Sequence, residues 1–245
     1  MKGRLRILYY HNIAVAPPGA ALAKLYVDPH DFARQLWCLK RLGLRGVSLS
    51  EGLWHLERGQ SASLVALTFD DGYADNLENA APILREFGFS ATCFVVSGCL
   101  GAHNLWDAEA LRVRKPMMSV SQLRAWVAEG FEVGSHTRSH PRLDTLAEEF
   151  LEEEIAGSRA DLERLAGVRP ESFCYPYGAV SPGAARHVEA AGYRAAVTTE
   201  RGLALAQDNP FLLPRVAVSG RRGLFKFALR ATTPYGTWRR PRLAA

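Results

Sequence analysis

No run of about 18 or more uncharged apolar residues occurs in the chain, so nothing in it has the length of a helix that spans a bilayer. Cysteine is sparse: Cys38, Cys93, Cys99 and Cys174 are scattered without Cys-x-x-Cys spacing, which argues against a zinc knuckle or a thioredoxin-type pair and leaves buried reduced thiols. A Gly-x-Gly-x-x-Gly turn after the first apolar segment is also missing, and with it the main sign of a dinucleotide-binding sheet. Met1 to Arg6 is basic and apolar residues follow, but His11 and Asn12 interrupt them before the length a secretory segment needs. With reduced thiols, this points to the cytoplasm. Acidic residues are absent from one end: from Arg215 onward, Arg215, Arg221, Arg222, Lys226, Arg230, Arg239, Arg240 and Arg242 meet no Asp or Glu, whereas residues 144–163 are rich in Glu.

What is present suits one soluble globular domain spanning residues 1–245, with a basic tail from about residue 220. Hydrophobic residues make up 48% and charged residues 22%, enough of the first to bury a real interior. The net charge of +5 raises nucleic acid or an anionic membrane as partners. Because the excess sits at the C-terminal end, peripheral membrane association is assigned to that end and no nucleic-acid partner is expected. Gly223 to Arg230 mixes aromatics with cations, as either a membrane-surface helix or a terminal helix docked on the domain would.

Apolar segments alternate with helical patterns along the whole chain. Strands are expected at 5–10, 47–49, 65–69, 91–96, 131–135, 173–175, 195–198 and 212–218. Between them, helices are expected from Asp28-Pro29 to Gly43, briefly after a Ser50 cap, and over 76–87, 121–129, 145–166 and 184–191. Repeated βαβ units imply parallel pairing and a closed or nearly closed barrel, with an open doubly wound sheet as the alternative.

In such a barrel the reactive groups gather where strands end. Four segments qualify: His11; Thr68-Phe69-Asp70-Asp71-Gly72; Gly134-Ser135-His136 through His140-Pro141; and Cys174-Tyr175-Pro176-Tyr177-Gly178. Adjacent carboxylates at a strand end repel unless a cation divides their roles, so Asp70-Asp71 suggests one metal ligand and one base, although Asp-Asp-Gly is also an ordinary turn. His136 and His140 lie four apart and present both imidazoles to one ion if the chain turns there; alone they read equally as loop histidines. Two imidazoles and one carboxylate together leave coordination positions open, which is the mark of a catalytic metal centre.

The Thr-Phe-Asp-Asp-Gly, His-x-x-x-His and Tyr-Pro-Tyr-Gly segments, in that order and spacing, resemble the first three motifs of the polysaccharide deacetylase (NodB homology, carbohydrate esterase family 4) family. Leu8-Tyr9-Tyr10-His11 and Leu213-Pro214-Arg215 are similar to a branch that includes poly-N-acetylglucosamine deacetylases. The resemblance implies a single distorted (β/α)7 TIM-like barrel. It further implies a hydrolase that removes N-acetyl groups from an N-acetylhexosamine-containing glycan or glycan precursor, with a role in exopolysaccharide biosynthesis. Asp71, His136 and His140 would hold one divalent metal, zinc or else cobalt or nickel. Asp70 would be the base, and the segment around Tyr177 would offer a backbone N–H to the oxyanion.

Two features depart from that pattern. Cys174 stands where the family has an arginine that orients the catalytic Asp, and Arg215 is the substitute considered beside a surface role. The Leu-x-His motif that supplies the acid is missing, and His11 is placed in that role, with a core or capping histidine as the alternative. His187 is read as a helix-face residue. Tyr175 and Trp106 are candidate substrate contacts, Trp106 either stacking on a sugar or anchoring its own loop. Leu123 and Trp126 read as core. A non-sugar amide substrate and a glycan-binding barrel without turnover remain open.

Overall fold

The computed structural model describes residues 3–220 and 223–233. Its strands are β1 (Arg4–Tyr10), β2 (Arg45–Val47), β3 (Leu64–Phe69), β4 (Thr92–Val95), β5 (Glu132–Ser135), β6 (Ser172–Cys174), β7 (Ala195–Arg201), β8 (Ala204–Leu205) and β9 (Leu213–Ala217). The helices are α1 (Pro29–Arg41), α2 (Leu49–Glu57), α3 (Ala81–Phe87), α4 (Ala108–Leu111), α5 (Val120–Ala128), α6 (Glu148–Ala166), α7 (Pro182–Ala190) and α8 (Leu224–Thr232). Seven strands, β1, β3, β4, β5, β6, β7 and β9, pair in parallel in that order, and the pairing of β1 with both β3 and β9 closes the ring. The doubly wound alternative is thereby excluded.

The barrel is irregular for a visible reason. β2 pairs with the first half of β3 and β4 with its end, so the two short strands share one edge. β8 likewise takes the start of β1, antiparallel, while β9 takes its end. The lumen is filled by Leu5, Ile7, Val47, Leu64, Ala66, Phe94, Val197 and Leu213, with Leu49 and Leu56 of α2 closing it. Phe94 occupies space that any side chain at Gly134 would claim: a Cβ there would lie 2.4 Å from the ring. Outside, α1, α3, α5 and α8 cover one side of the sheet through Phe32, Leu36, Leu84, Leu123, Trp126 and Phe227. No helix among the described residues is long and apolar enough to cross a membrane.

Three local expectations are corrected. Leu49 begins α2 instead of ending β2, because Ser48, not Ser50, is the cap: its Oγ accepts the Glu51 N–H at 3.3 Å. The helix over 76–87 opens as a π-turn, Asn76–Ala80; Pro82 has no N–H to give, and Ala81 N–H reaches back to Asn76 O. The helix placed at 145–166 starts at Glu148, after an extended Ala147. In the C-terminal segment, α8 docks on the barrel through Phe227 and Ala231. Arg221, Arg222, Arg239, Arg240 and Arg242 lie outside the described residues.

Asp75, just after β3, ties the β1 end to this π-turn. Its carboxylate accepts from Asn12 Nδ2 (2.8 Å), Ile13 N–H (3.1 Å) and Asn76 Nδ2 (3.0 Å). Burial nonetheless pushes its pKa up to about 6, so the folded state holds this proton more tightly than the unfolded chain does. The resulting stability is full below the ordinary carboxylate value and is lost as pH rises through about 6. Denaturant unfolding of wild type and Asp75→Asn should therefore show wild type losing roughly 1 kcal/mol relative to the variant between pH 5 and pH 8. A constant difference across that window would show that Asp75 does not titrate as the fold requires.

Candidate metal centre and active-site cleft

Four non-glycine residues that follow β3, β5 and β6 have left-handed backbone: Asp71 (φ 79°), Thr137 (φ 67°), His140 (φ 66°) and Tyr177 (φ 60°). For β-branched Thr137 this is a strained conformation that only surrounding bonds can hold. Those bonds are present. Ser97 N–H donates to Thr137 O (3.1 Å) and Gly98 N–H to Arg138 O (2.9 Å), zipping the loop after β4 to the loop after β5. Thr137 Oγ1 accepts the His140 N–H at 2.9 Å. From the outside, Glu154 of α6 accepts both the Arg138 and Ser139 N–H groups (2.9 and 3.0 Å), and Asp161 takes the Arg138 guanidinium at 2.7 Å. The Glu-rich stretch of sequence is thus the clamp on the histidine loop.

This clamp brings His136 and His140 to one point. Both Nε2 atoms lie 3.4 Å from the same oxygen, Asp71 Oδ1, and all three side chains are buried. The distances are too long for good hydrogen bonds, and the atoms form a triangle open to a shared ion. His136 Nδ1 sits 2.6 Å from the Cys174 carbonyl, which fixes the proton there and leaves the Nε2 lone pair facing inward. His140 is sandwiched instead: Trp106 stacks on it at 4.4 Å and Tyr177 meets it edge-on at 4.6 Å. Burial alone would push Asp71 up, but the imidazoles hold its carboxyl well below the usual range. One carboxylate oxygen and two imidazole nitrogens fit a divalent cation of the zinc type. A second grouping, Asp70, His136 and Cys174, does not fit, because Arg215 already occupies both Asp70 and the Cys174 sulfur.

Asp70 and Arg215 form a two-pronged buried ion pair: Nη1 to Oδ1 at 2.7 Å and Nη2 to Oδ2 at 2.8 Å. The guanidinium is fully buried and completely engaged. Nε donates to Thr198 O (2.9 Å), Nη1 also to Thr68 Oγ1 (3.2 Å), Nη2 also to Cys174 Sγ (3.1 Å), and the Tyr9 ring lies 4.3 Å below it. Burial would raise the Asp70 pKa, yet the charge and hydrogen bonds of Arg215 bring it below the ordinary carboxylate value. Asp70 is therefore ionised and oriented. The surface role considered for Arg215 does not hold, since none of its side chain reaches solvent.

These groups border a cleft of about 430 Å³, a size ordinary for a small-molecule site. His11 stands on its wall, half-buried; desolvation pushes its pKa down against the pull of Asp71 and Asp70. Tyr177 is half-exposed at the rim. Its N–H is outside the two hydrogen bonds of its turn, which run from Gly178 to Tyr175 O and from Ala179 to Pro176 O, each 2.9 Å. Gly178 is obligatory there, because a Cβ would lie 2.0 Å from Thr199 Oγ1. Tyr175 borders the cleft but is fully buried, edge-on to Phe173, its hydroxyl without a partner among the described residues. Half-buried Trp106 lines the cleft, resting on His140. His187 lies on α7, 3.8 Å from Glu148, and does not border the cleft.

Sequence reasoning missed Tyr9, Thr68 and Thr198, which hold Arg215, and Lys115, a buried lysine whose Nζ donates to Tyr73 at 3.2 Å. Tyr9 and Thr68 lie in or beside the quoted motifs, but only the barrel register places them under one guanidinium.

Replacing Arg215 by Met would leave a buried unpaired carboxylate, and the expected loss in denaturant unfolding at pH 7.5 is about 3–5 kcal/mol. Adding Asp70→Asn should restore most of it. Stability within about 1 kcal/mol of wild type for the single variant would mean that the pair does not hold Asp70 charged.

Residues 57–196 match the sequence model of the family described as polysaccharide deacetylase. The Bacillus subtilis (strain 168) protein YxkH is 28% identical over 218 residues, covering 88% of this chain and 72% of that one. A Staphylococcus aureus (strain MRSA252) poly-beta-1,6-N-acetyl-D-glucosamine N-deacetylase is 23% identical over 197 residues, 79% of this chain and 68% of its own. Among solved structures, the Streptococcus pyogenes deacetylase PplD in complex with acetate superposes with a TM-score of 0.81 at 25% identity, over 96% of this chain and all of that one. The family match spans more than half of the chain and contains the Asp71, His136 and His140 cluster together with Asp70, so this chain belongs to the polysaccharide deacetylase family.

Proposed function

We propose that this protein is a metal-dependent de-N-acetylase acting on N-acetylhexosamine units of a glycan or glycan precursor, of the kind used in exopolysaccharide biosynthesis. The observation that carries the reading is a carboxylate kept ionised by a buried arginine, Asp70, directly beside three convergent metal-type donors at the base of a cleft. A barrel that only binds glycan has no use for a buried base held at that cost, which speaks for turnover. The name of the Staphylococcus aureus relative supports an N-acetylglucosamine polymer as the substrate class.

A divalent metal held by Asp71, His136 and His140, zinc with cobalt or nickel as substitutes, would supply Lewis-acid activation of water and of the acetyl carbonyl. The remaining work belongs to the chain. Asp70, oriented by Arg215, accepts the proton of the attacking water. The Tyr177 N–H donates to the oxygen that gains charge as the acyl carbon becomes tetrahedral. His11, across the cleft, passes a proton to the nitrogen as the C–N bond breaks, and acetate and a free amine leave. Tyr175 and Trp106 shape the wall against which the sugar lies.

Acetate release from N-acetylglucosamine oligomers should disappear after chelation and return with zinc, cobalt or nickel. His136→Ala should lose both activity and metal retention, and Asp70→Asn should lose about 10²–10⁴-fold in kcat with metal retained. Full activity in His136→Ala would sink the assignment. Metal retention without acetate release from any sugar would move it to a non-sugar amide or to binding alone.

A further inference from the structure

The charges around the cleft are unevenly matched. Of its three carboxylates, Asp70 is taken by Arg215, Asp71 faces both imidazoles, and Asp107 accepts from the Asn104 side-chain amide. At the other end, beside the tips of β1 and β9, the wall is built by Leu22, Lys24, Leu25, Ala217 to Ser219 and Arg230. Lys24 makes no side-chain bond among the described residues. Arg230 spends one N–H on Ala217 O (2.8 Å) and faces no carboxylate among the described residues. Two cations, delivered by the loop after β1 and by α8, thus line one end of the cleft with no ion-pair partner among the described residues.

The opposite end is aromatic, with Trp106 and Tyr177 flanking His140. Asp70 and Arg215 cancel, and Asp71 and Asp107 offset Lys24 and Arg230 in number, so a divalent ion at the Asp71 cluster would give the cleft a net positive charge. A cleft of this sign disfavours a chain of free amino sugars, which is cationic, and attracts an anion. Lysine acts as a point charge and the arginine fork offers planar donors, together suited to a doubly charged phosphate more than to a single carboxylate.

We propose that Lys24 and Arg230 form a phosphate subsite, so that the substrate is an N-acetylhexosamine carrying a phosphate ester close to the acetamido group that reacts. This rests on the deacetylase reading for its consequence in turnover, but the subsite itself is tested by binding.

Calorimetric titration of zinc-loaded protein with N-acetylglucosamine 1-phosphate, N-acetylglucosamine and N-acetylmuramic acid decides it. The phosphate sugar should bind about tenfold or more tightly than the neutral one, and more tightly than the carboxylate sugar. Lys24→Gln alone should remove part of that preference, and Lys24→Gln with Arg230→Gln all of it. Neutral-sugar binding, and acetate release from neutral oligomers, should stay within about twofold, since neither side chain touches the reacting groups. Lys24 is exposed, so its variant folds even if loss of Arg230 disturbs α8. Equal affinity for the phosphate and neutral sugars, or a preference for the carboxylate sugar, overturns the subsite. So does a phosphate preference that survives in the double variant, which would place the anion elsewhere, the metal centre included. Absence of acetate release from every sugar, with the phosphate preference intact, would remove the deacetylase reading and leave the subsite standing.

Discussion

A fully buried arginine facing a fully buried aspartate organises this molecule. Arg215 has to come from the last barrel strand and Asp70 from the end of β3, and they meet only because β1 lies between those strands and pairs with both. Closing the ring and forming the ion pair are therefore one event. Once made, the pair leaves Asp71 as the carboxylate available to an ion and Asp70 as the one available to a proton. The adjacent acids thus differ in environment and not in chemistry.

The arginine reaches its partner by an unusual route, and Cys174 explains why it can. A small thiol at the end of β6 leaves room in the lumen for a guanidinium arriving from β9, and its sulfur takes one of the five N–H groups that burial would otherwise leave unsatisfied. Thr68, Thr198 and the Tyr9 ring take up the rest of the surface. The cation beside Asp70 is thus supplied by β9.

The alternation of strands and helices was legible because each apolar segment ends in a turn residue, and the convergence of Asp71, His136 and His140 was legible because they sit directly at such ends. The details that escaped are those set by tertiary contact. Ser48 and Ser50 are equally good caps by sequence, and only the Thr92 hydroxyl, which accepts the Leu49 N–H at 2.8 Å, decides between them. The π-turn before Pro82 and the convergence of Lys24 with Arg230 on one cleft likewise depend on residues far apart in the chain. Arg215 stood among the candidates by family likeness, but its depth could not be read from a local pattern in which arginine is ordinarily exposed.

The acidic face of α6 looks like a solubilising surface, and most of it is one. Glu154 and Asp161 are different, since they hold the backbone and guanidinium of the loop that aims both histidines. Neighbouring Glu149 and Glu152 are free to drift to any polar residue, while exchange at 154 or 161 would loosen the loop that carries His136 and His140. In this helix, evolutionary tolerance should alternate with the helical turn: permissive on one stripe and restrictive on the next, although both are acidic and face outward.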